Sequence, residues 1–273
     1  ISSKSITAIK DSGLEDYINT ATYWSYLGGA YGISGKYKEA IKSYKQAISI
    51  DPDFVYAHYN LGIAHGKLGM YKEAIKSCKQ AIRIDPDYAE AHYNLGIAYY
   101  MLGRYQEAIK PYKQSLRIDP DDADAHNNLG LAYRKLDKNE EAIKSFKQAI
   151  RIDPDYALAH YNLGLAYRKL DKNEEAIKSY KQAIRLDPDD ALAHYNLGNA
   201  YVKSGKNEEA IESYKQAIRL DPDYAEAHYN LGHAYINLGL HQEAIKSCKQ
   251  AIEINPDYGG AHANLGLAYR KLD

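Results

Sequence analysis

Small and apolar residues along this chain fall on two alternating helical registers, and the alternation returns every 34 residues. The segment AHYNLG begins at 57, 91, 159, 193 and 227, with AHNNLG at 125 and AHANLG at 261. Each neighbouring pair of starts is therefore 34 residues apart. A fixed period of this size marks a repeat array, in which one supersecondary unit buries its apolar face against the next. With site 1 placed at Val55, full repeats run 21–54, 55–88, 89–122, 123–156, 157–190, 191–224 and 225–258, and 259–273 stops after site 15. Repeats 123–156 and 157–190 are identical at 29 of 34 sites, so one description of the unit serves for all.

Turning the sites by about 100° per residue shows what each helix buries. On a first helix over sites 1–14, sites 4, 7, 8 and 11 share a face: His58, Leu61, Gly62 and His65, then His92, Leu95, Gly96 and Tyr99. On a second helix over sites 18–30, sites 20, 24 and 27 do so: Ala74, Cys78 and Ala81, then Ala108, Tyr112 and Ser115. Large residues facing Gly and Ala predict a close crossing. Site 15 is Gly35, Gly69, Gly103, Gly205 and Gly239, or Asp137 and Asp171, where a left-handed residue would end the first helix. Asp-Pro at sites 31–32, Asn255-Pro256 in the last full repeat, ends the second, because the residue before proline is pushed out of the helical region. Pro111, inside a second helix at site 23, removes a backbone donor and predicts a local bend. Residues 1–20 do not fit the register and are expected to be a linker or cap. Residues 259–273 read as the first helix of an eighth repeat or a capping helix.

Charge narrows the choice of partner. The 35 basic and 36 acidic residues leave a net charge of −1, so the global field of a nucleic-acid or anionic-membrane binder is missing. No run approaches the roughly 18 apolar residues of a membrane span. Two cysteines, Cys78 and Cys248, are too few for a disulfide framework and suit a reducing, cytoplasmic setting. Both stand at site 24, five repeats apart, and read as buried thiols. Lys or Arg at sites 22, 25 and 29, as in Lys76, Lys79 and Arg83, read as a solvated outward stripe.

Candidate chemistry does not survive the period. The site-4 histidines are each confined to their own repeat, whereas a zinc site needs convergent ligands, so no metal or cofactor is expected. No nucleophile and base can be paired from residues that recur once per unit. Gly32-Ile33-Ser34-Gly35-Lys36 lacks the leading glycine and the trailing Ser or Thr of a phosphate loop, having Ala30 and Tyr37 there. The chain is not expected to be an enzyme.

These residues resemble the tetratricopeptide repeat (TPR), whose 34-residue unit carries a large residue at site 4, Leu-Gly at 7–8, Tyr at 11, Ala at 20, an aromatic at 24, Ala at 27 and Pro at 32. The resemblance covers 21–273. It implies an all-α, right-handed superhelical solenoid of antiparallel helix pairs, with the first helices lining a concave groove. The family's usual Trp at site 4 is kept only as Trp24; elsewhere His58, His92, His126, His160, His194, His228 and His262 replace it. That change and the Asn-Leu-Gly after it are similar to the TPR arm of O-linked GlcNAc transferases, whose concave wall carries an asparagine ladder, and to bacterial TPR scaffolds.

The groove face implied by the resemblance holds sites 2, 5, 6, 9, 12 and 13. Its rungs are Tyr59 and Asn60, Tyr93 and Asn94, Asn127 and Asn128, Tyr161 and Asn162, Tyr195 and Asn196, and Tyr229 and Asn230. An amide offers donors and an acceptor to the backbone of an extended peptide, and tyrosine adds apolar contact with a polar tip. Sites 2 and 12 vary between repeats while the packing sites hold, so selectivity would be written there. The middle repeats collect Arg134, Lys135, Arg168, Lys169 and Lys203 beside Leu131, Leu158, Leu165 and Leu192, with Asn199 on the same face. The expected function is a scaffold binding a protein or extended peptide with apolar anchors and an acidic group. The family's clamp for chaperone C-terminal tails needs basic residues at sites 2, 5 and 6, which are lacking here, so chaperone tails are excluded. Two other readings stay open. A substrate-recruiting arm of a larger glycosyltransferase would need a reading frame continuing past Asp273. A self-assembling scaffold, by self-association through the C-terminal helix, would show concentration-dependent mass.

Overall fold

The computed structural model describes residues 20–272. The expected cap at 1–20 lies outside the described residues except for Thr20, whose hydroxyl accepts from the Tyr23 amide at 3.1 Å and caps the first helix. The described residues form helices and turns with no strand. They divide into two compact units that meet at Leu136 and Asp137. The first unit holds α1 (Ala21–Ile33), α2 (Tyr37–Ile50), α3 (Val55–Lys67), α4 (Tyr71–Ile84), α5 (Ala89–Met101), α6 (Tyr105–Ile118) and α7 (Ala123–Lys135). The second holds α8 (Asn139–Ile152), α9 (Ala157–Lys169), α10 (Asn173–Leu186), α11 (Ala191–Lys203), α12 (Asn207–Leu220), α13 (Ala225–Asn237), α14 (His241–Ile254) and α15 (Gly259–Arg270). Within each unit every helix packs on the next in sequence, so the fold is the predicted all-α stack of helix pairs.

The turn inside each pair is set by one left-handed residue at site 15. Gly69 has φ 72°, and Asp137 and Asp171 take the same region at φ 55°. In the second repeat the Gly69 amide bonds Gly66 O at 3.0 Å and the Met70 amide bonds His65 O at 2.9 Å, the two bonds of a Schellman ending. Helices occupy sites 1–13 and 17–30, the first a residue shorter and the second a residue longer than the periodicity suggests, because site 14 serves as the C-cap.

Close helix crossing comes from glycine at site 8 lying under the side chain at site 24. Gly28 meets Tyr44 and Gly96 meets Tyr112 in the first unit; Gly164 meets Tyr180 and Gly198 meets Tyr214 in the second. Cys78 and Cys248 hold the same place as fully buried free thiols, and burial pushes their thiols up to about 12 and about 11, so both stay neutral.

The site-4 histidines do more than fill space. Each lies with its Nε2 2.8 to 3.1 Å from the proline carbonyl six residues back, from His58 to Pro52 through His262 to Pro256. Only donation by Nε2–H satisfies that contact, so each first helix from α3 onward is tied to the Asp-Pro or Asn-Pro turn before it. The lysines at site 25 also depart from the solvated-stripe reading. Lys79 and Lys113 lie 5.7 Å from the ring centroids of Tyr99 and Tyr133, at site 11 of the following repeat. Lys147, Lys181, Lys215 and Lys249 do the same in the second unit over Tyr167, Tyr201, Tyr235 and Tyr269. Their ammonium groups remain at the surface while drawn to the ring faces. Helix α6 runs unbroken through Pro111.

Candidate functional site

In the first unit the predicted rungs are bonded to one another. Asn128 Nδ2 donates to the Tyr93 hydroxyl at 2.8 Å, and beside Tyr59, whose phenol burial pushes up, Asn94 opposes the rise. Asn60 and Asn94 also donate to the carbonyls of Tyr56 and Glu90, one turn back, each at 2.9 Å. Asn127 is buried. Burial pushes the Tyr93 phenol up to about 12, with Asp124 and Asp122 adding to the rise and the Asn128 bond opposing it, so it stays protonated. Of the middle-repeat group, Leu131 and Arg134 are half-buried and Lys135 is exposed. Arg134 Nε is buried without a hydrogen-bond partner.

In the second unit the same ladder recurs. Asn196 Nδ2 donates to the Tyr161 hydroxyl at 3.1 Å and to Leu192 O at 2.9 Å; Asn230 Nδ2 donates to the Tyr195 hydroxyl and to Asn199 Oδ1, both at 3.0 Å. Asn162 and Asn196 are buried. Tyrosines complete the rungs: the Tyr195 and Tyr229 rings lie 4.8 and 4.9 Å from those of Tyr224 and Tyr258. The amide donors thus serve neighbouring repeats first. A helical wheel cannot show this, because the partner of each asparagine is 35 residues away on another helix.

The structure brings five predicted residues of this unit together around a cavity of about 670 Å³: Arg168, Asn199, Lys203, Tyr229 and Asn230. Asp171, Asn173, Val202, Tyr214 and His233 complete its wall. Leu165, Lys169, Tyr161 and Tyr195 lie outside it. Arg168 Nε is buried and unpartnered. Asn199 Oδ1 accepts from the Tyr214 hydroxyl at 2.8 Å and from Asn230, which leaves its amide N–H groups for a ligand. Lys203 is exposed, so two cations stand against the one carboxylate of Asp171. Among the residues the sequence missed, His233 was within reach: it is the second polar residue at site 9, after Asn199, where the other repeats have Ile, Leu or, at Gly29, glycine. Asp171 and Tyr214 carry no such signal, since their sites read as turn and core. Among the described residues no three His, Cys, Asp or Glu side chains gather as metal ligands, and no helix is long and apolar enough to cross a membrane.

Comparison with known proteins agrees with this architecture. TPR-repeat family profiles match residues 28–69, 130–171, 165–205 and 198–239, and tetratricopeptide-repeat profiles match 54–121, 112–144 and 225–258. No curated protein matches the chain in sequence. Among solved structures, YrrB, a TPR protein with an unusual peptide-binding site, is 25% identical with a TM-score of 0.62, over 69% of this chain and 98% of its own. MamA is 33% identical with a TM-score of 0.58, over 59% of this chain and 95% of its own. PilF of Pseudomonas aeruginosa, 19% identical with a TM-score of 0.66 over 78% and 97%, shares the fold. These likenesses are to tetratricopeptide repeats as a class and do not single out the O-GlcNAc transferase arm. The fold is typical of non-enzymatic scaffolds that bind proteins or peptides. From its repeats, its helix pairs and these matches, the chain belongs to the tetratricopeptide-repeat family.

Proposed function

We propose that this protein is an interaction scaffold whose first-helix face binds an extended peptide, and that the cavity at Arg168, Asn199 and Lys203 receives an acidic group of that peptide. The observation that carries the reading is the charge balance of the cavity: Arg168 and the exposed Lys203 share it with one carboxylate, Asp171, and with Asn199, whose oxygen is already occupied. A carboxylate entering it would gain charge-assisted bonds from these donors. The similarity to YrrB, itself a TPR protein with a peptide-binding site, supports a peptide as the ligand class. Within the second unit Tyr161, Asn162 and Asn196 then form the supporting floor and Leu165 and Lys169 its rim; in the first unit Tyr59, Asn60, Tyr93, Asn94, Asn127 and Asn128, with Leu131, Arg134 and Lys135, are proposed as a further stretch of peptide-binding face. The protein does no chemistry of its own in this reading.

The test is a displayed peptide library selected on the full chain, followed by affinities of the winners for the parent and for Arg168→Ala with Lys203→Ala. Selected peptides should carry an acidic residue. The double variant should bind at least about tenfold more weakly, since one charge-assisted bond contributes about 1.5–3 kcal/mol, and the gap should narrow at high salt. Winners without acidic residues, or equal affinity in the double variant, would sink the reading. Substituting Asn162 or Asn196 is a poorer probe, because both are buried and structural.

A further inference from the structure

Within the first unit, site 24 is Tyr44, Cys78 and Tyr112 in successive repeats. Where tyrosine is present, its ring lies over the first helix of its own repeat. A Cβ built on Gly28, at site 8, would meet the Tyr44 ring at 2.6 Å, and Cβ atoms on Gly29 and Gly32, at sites 9 and 12, would lie 3.9 Å from its hydroxyl. The ring therefore occupies the space above sites 8, 9 and 12. In repeat 55–88 the thiol of Cys78 cannot reach that far, and site 12 is Gly66, around whose Cβ position nothing lies within 4 Å. The space is open: a cleft of about 250 Å³ runs over Gly62, Ile63 and Gly66, those same sites 8, 9 and 12, and is closed on the far side by Ile97 and Met101 of α5. In repeat 225–258, which also has cysteine at site 24, site 12 is Ile236.

We propose that this cleft is an anchor pocket for one aromatic side chain of a bound peptide, a phenol-sized ring taking the position that tyrosine fills in neighbouring repeats. The size suits it, since an apolar cavity of about 150 Å³ already holds benzene. The chemistry suits it as well: the walls are apolar, and Asn94 and Lys67 at the rim provide polar partners for a hydroxyl. Tyr44 and Tyr112 show that this fold accommodates a ring against glycine at this place without displacing the backbone. The inference rests on the reading of the first-helix face as a peptide surface, but its pocket is tested separately from the cationic cavity of the second unit.

The experiment is a titration of the full chain with p-cresol, the tyrosine side chain as a free molecule, followed by amide chemical shifts. Saturable shifts are expected at Gly62, Gly66 and Ile97. Binding should weaken at least tenfold in Cys78→Tyr, which supplies the ring covalently and should raise the melting temperature at the same time. Gly66→Ile, which copies the residue at site 12 of repeat 225–258, is a second way of filling the cleft and should weaken binding likewise. No saturable shift in the parent, or undiminished binding in the filled variants, overturns the pocket. Arg168→Ala with Lys203→Ala should leave the p-cresol titration unchanged, so loss of the acidic-peptide site and loss of the ring pocket are separate results.

Discussion

Gly164→Ala adds a single methyl group to the point where the helix pair of repeat 157–190 crosses. Its Cβ would lie 2.6, 2.7 and 3.0 Å from Cε1, Cδ1 and Cζ of Tyr180. Carbon contacts are optimal at about 3.5–4.0 Å, so the ring must withdraw by about 1 Å or the helices must part. Tyr180 is 0% exposed, so its ring is enclosed by protein on all sides. Overpacking of this kind costs about 1–3 kcal/mol, while alanine in place of glycine returns about 1 kcal/mol of helix propensity. The net expectation is a loss of up to about 2 kcal/mol. Gly266→Ala is the control: it stands at the same site of α15, nothing lies within 4 Å of its Cβ position, and it should keep the whole gain of about 1 kcal/mol. The difference between the two variants then isolates the packing term. Urea unfolding followed by far-ultraviolet circular dichroism measures both, and in the Tyr180→Ala background Gly164→Ala should change sign and become stabilising. If Gly164→Ala stabilises the parent as much as Gly266→Ala does, the steric account of the site-8 glycines is wrong.

Two further changes exploit repeats that break the pattern. His65 is buried at site 11, where the later repeats have tyrosine under a lysine; burial lowers its pKa, Lys45 lowers it further and Glu73 opposes them. The unfolded chain therefore takes up a proton at about pH 6.5, before the folded protein does, so this residue's contribution is intact above that pH and is lost as the pH falls below it. His65→Tyr should flatten that part of the pH dependence of the urea midpoint and add a Lys45 contact like that of Lys79 with Tyr99; an unchanged profile would refute it. Pro111 stands where other repeats have a serine that donates to the carbonyl four residues back, as Ser77 does to Glu73 O at 3.1 Å. Pro111→Ser restores both an amide and a hydroxyl donor to Glu107 O and should raise stability by about 1–3 kcal/mol, read as a higher melting temperature; a lower one would mean that the proline fits its buried site better than serine can.

The parts of this molecule that could be read from sequence are those fixed by one helix or one turn. The left-handed residue at site 15 follows from a glycine or aspartate at the end of an amphipathic run, and Asp137 and Asp171 obey it as fully as Gly69 does. Gly-over-aromatic packing followed from two wheels drawn separately. What the wheels missed lies between helices. Asn196 faces the predicted side, yet its donors go to Tyr161, one repeat back, and to Leu192, one turn back. Lys113 points outward on its own helix and still lands on the ring of Tyr133 in the next repeat.

The same limit hid the cleft over Gly66. Sites 12 and 24 belong to different helices, and each residue alone is unremarkable there: Cys248 is buried at site 24 of repeat 225–258, where site 12 is Ile236 and not glycine. Repeat 21–54 also has glycine at site 12 and a groove of about 230 Å³ there, but Tyr44 lines it and closes it at Gly28; with Cys78 at site 24 the cleft of repeat 55–88 reaches in over Gly62. In an array whose units are otherwise near copies, a double departure of this kind changes the shape of the surface while leaving the helix crossing intact, because the Sγ of Cys78 still contacts the Gly62 position, 2.8 Å from where its Cβ would be. Such paired departures, and not the shared letters of AHYNLG, are where one repeat can come to differ from another in what it binds.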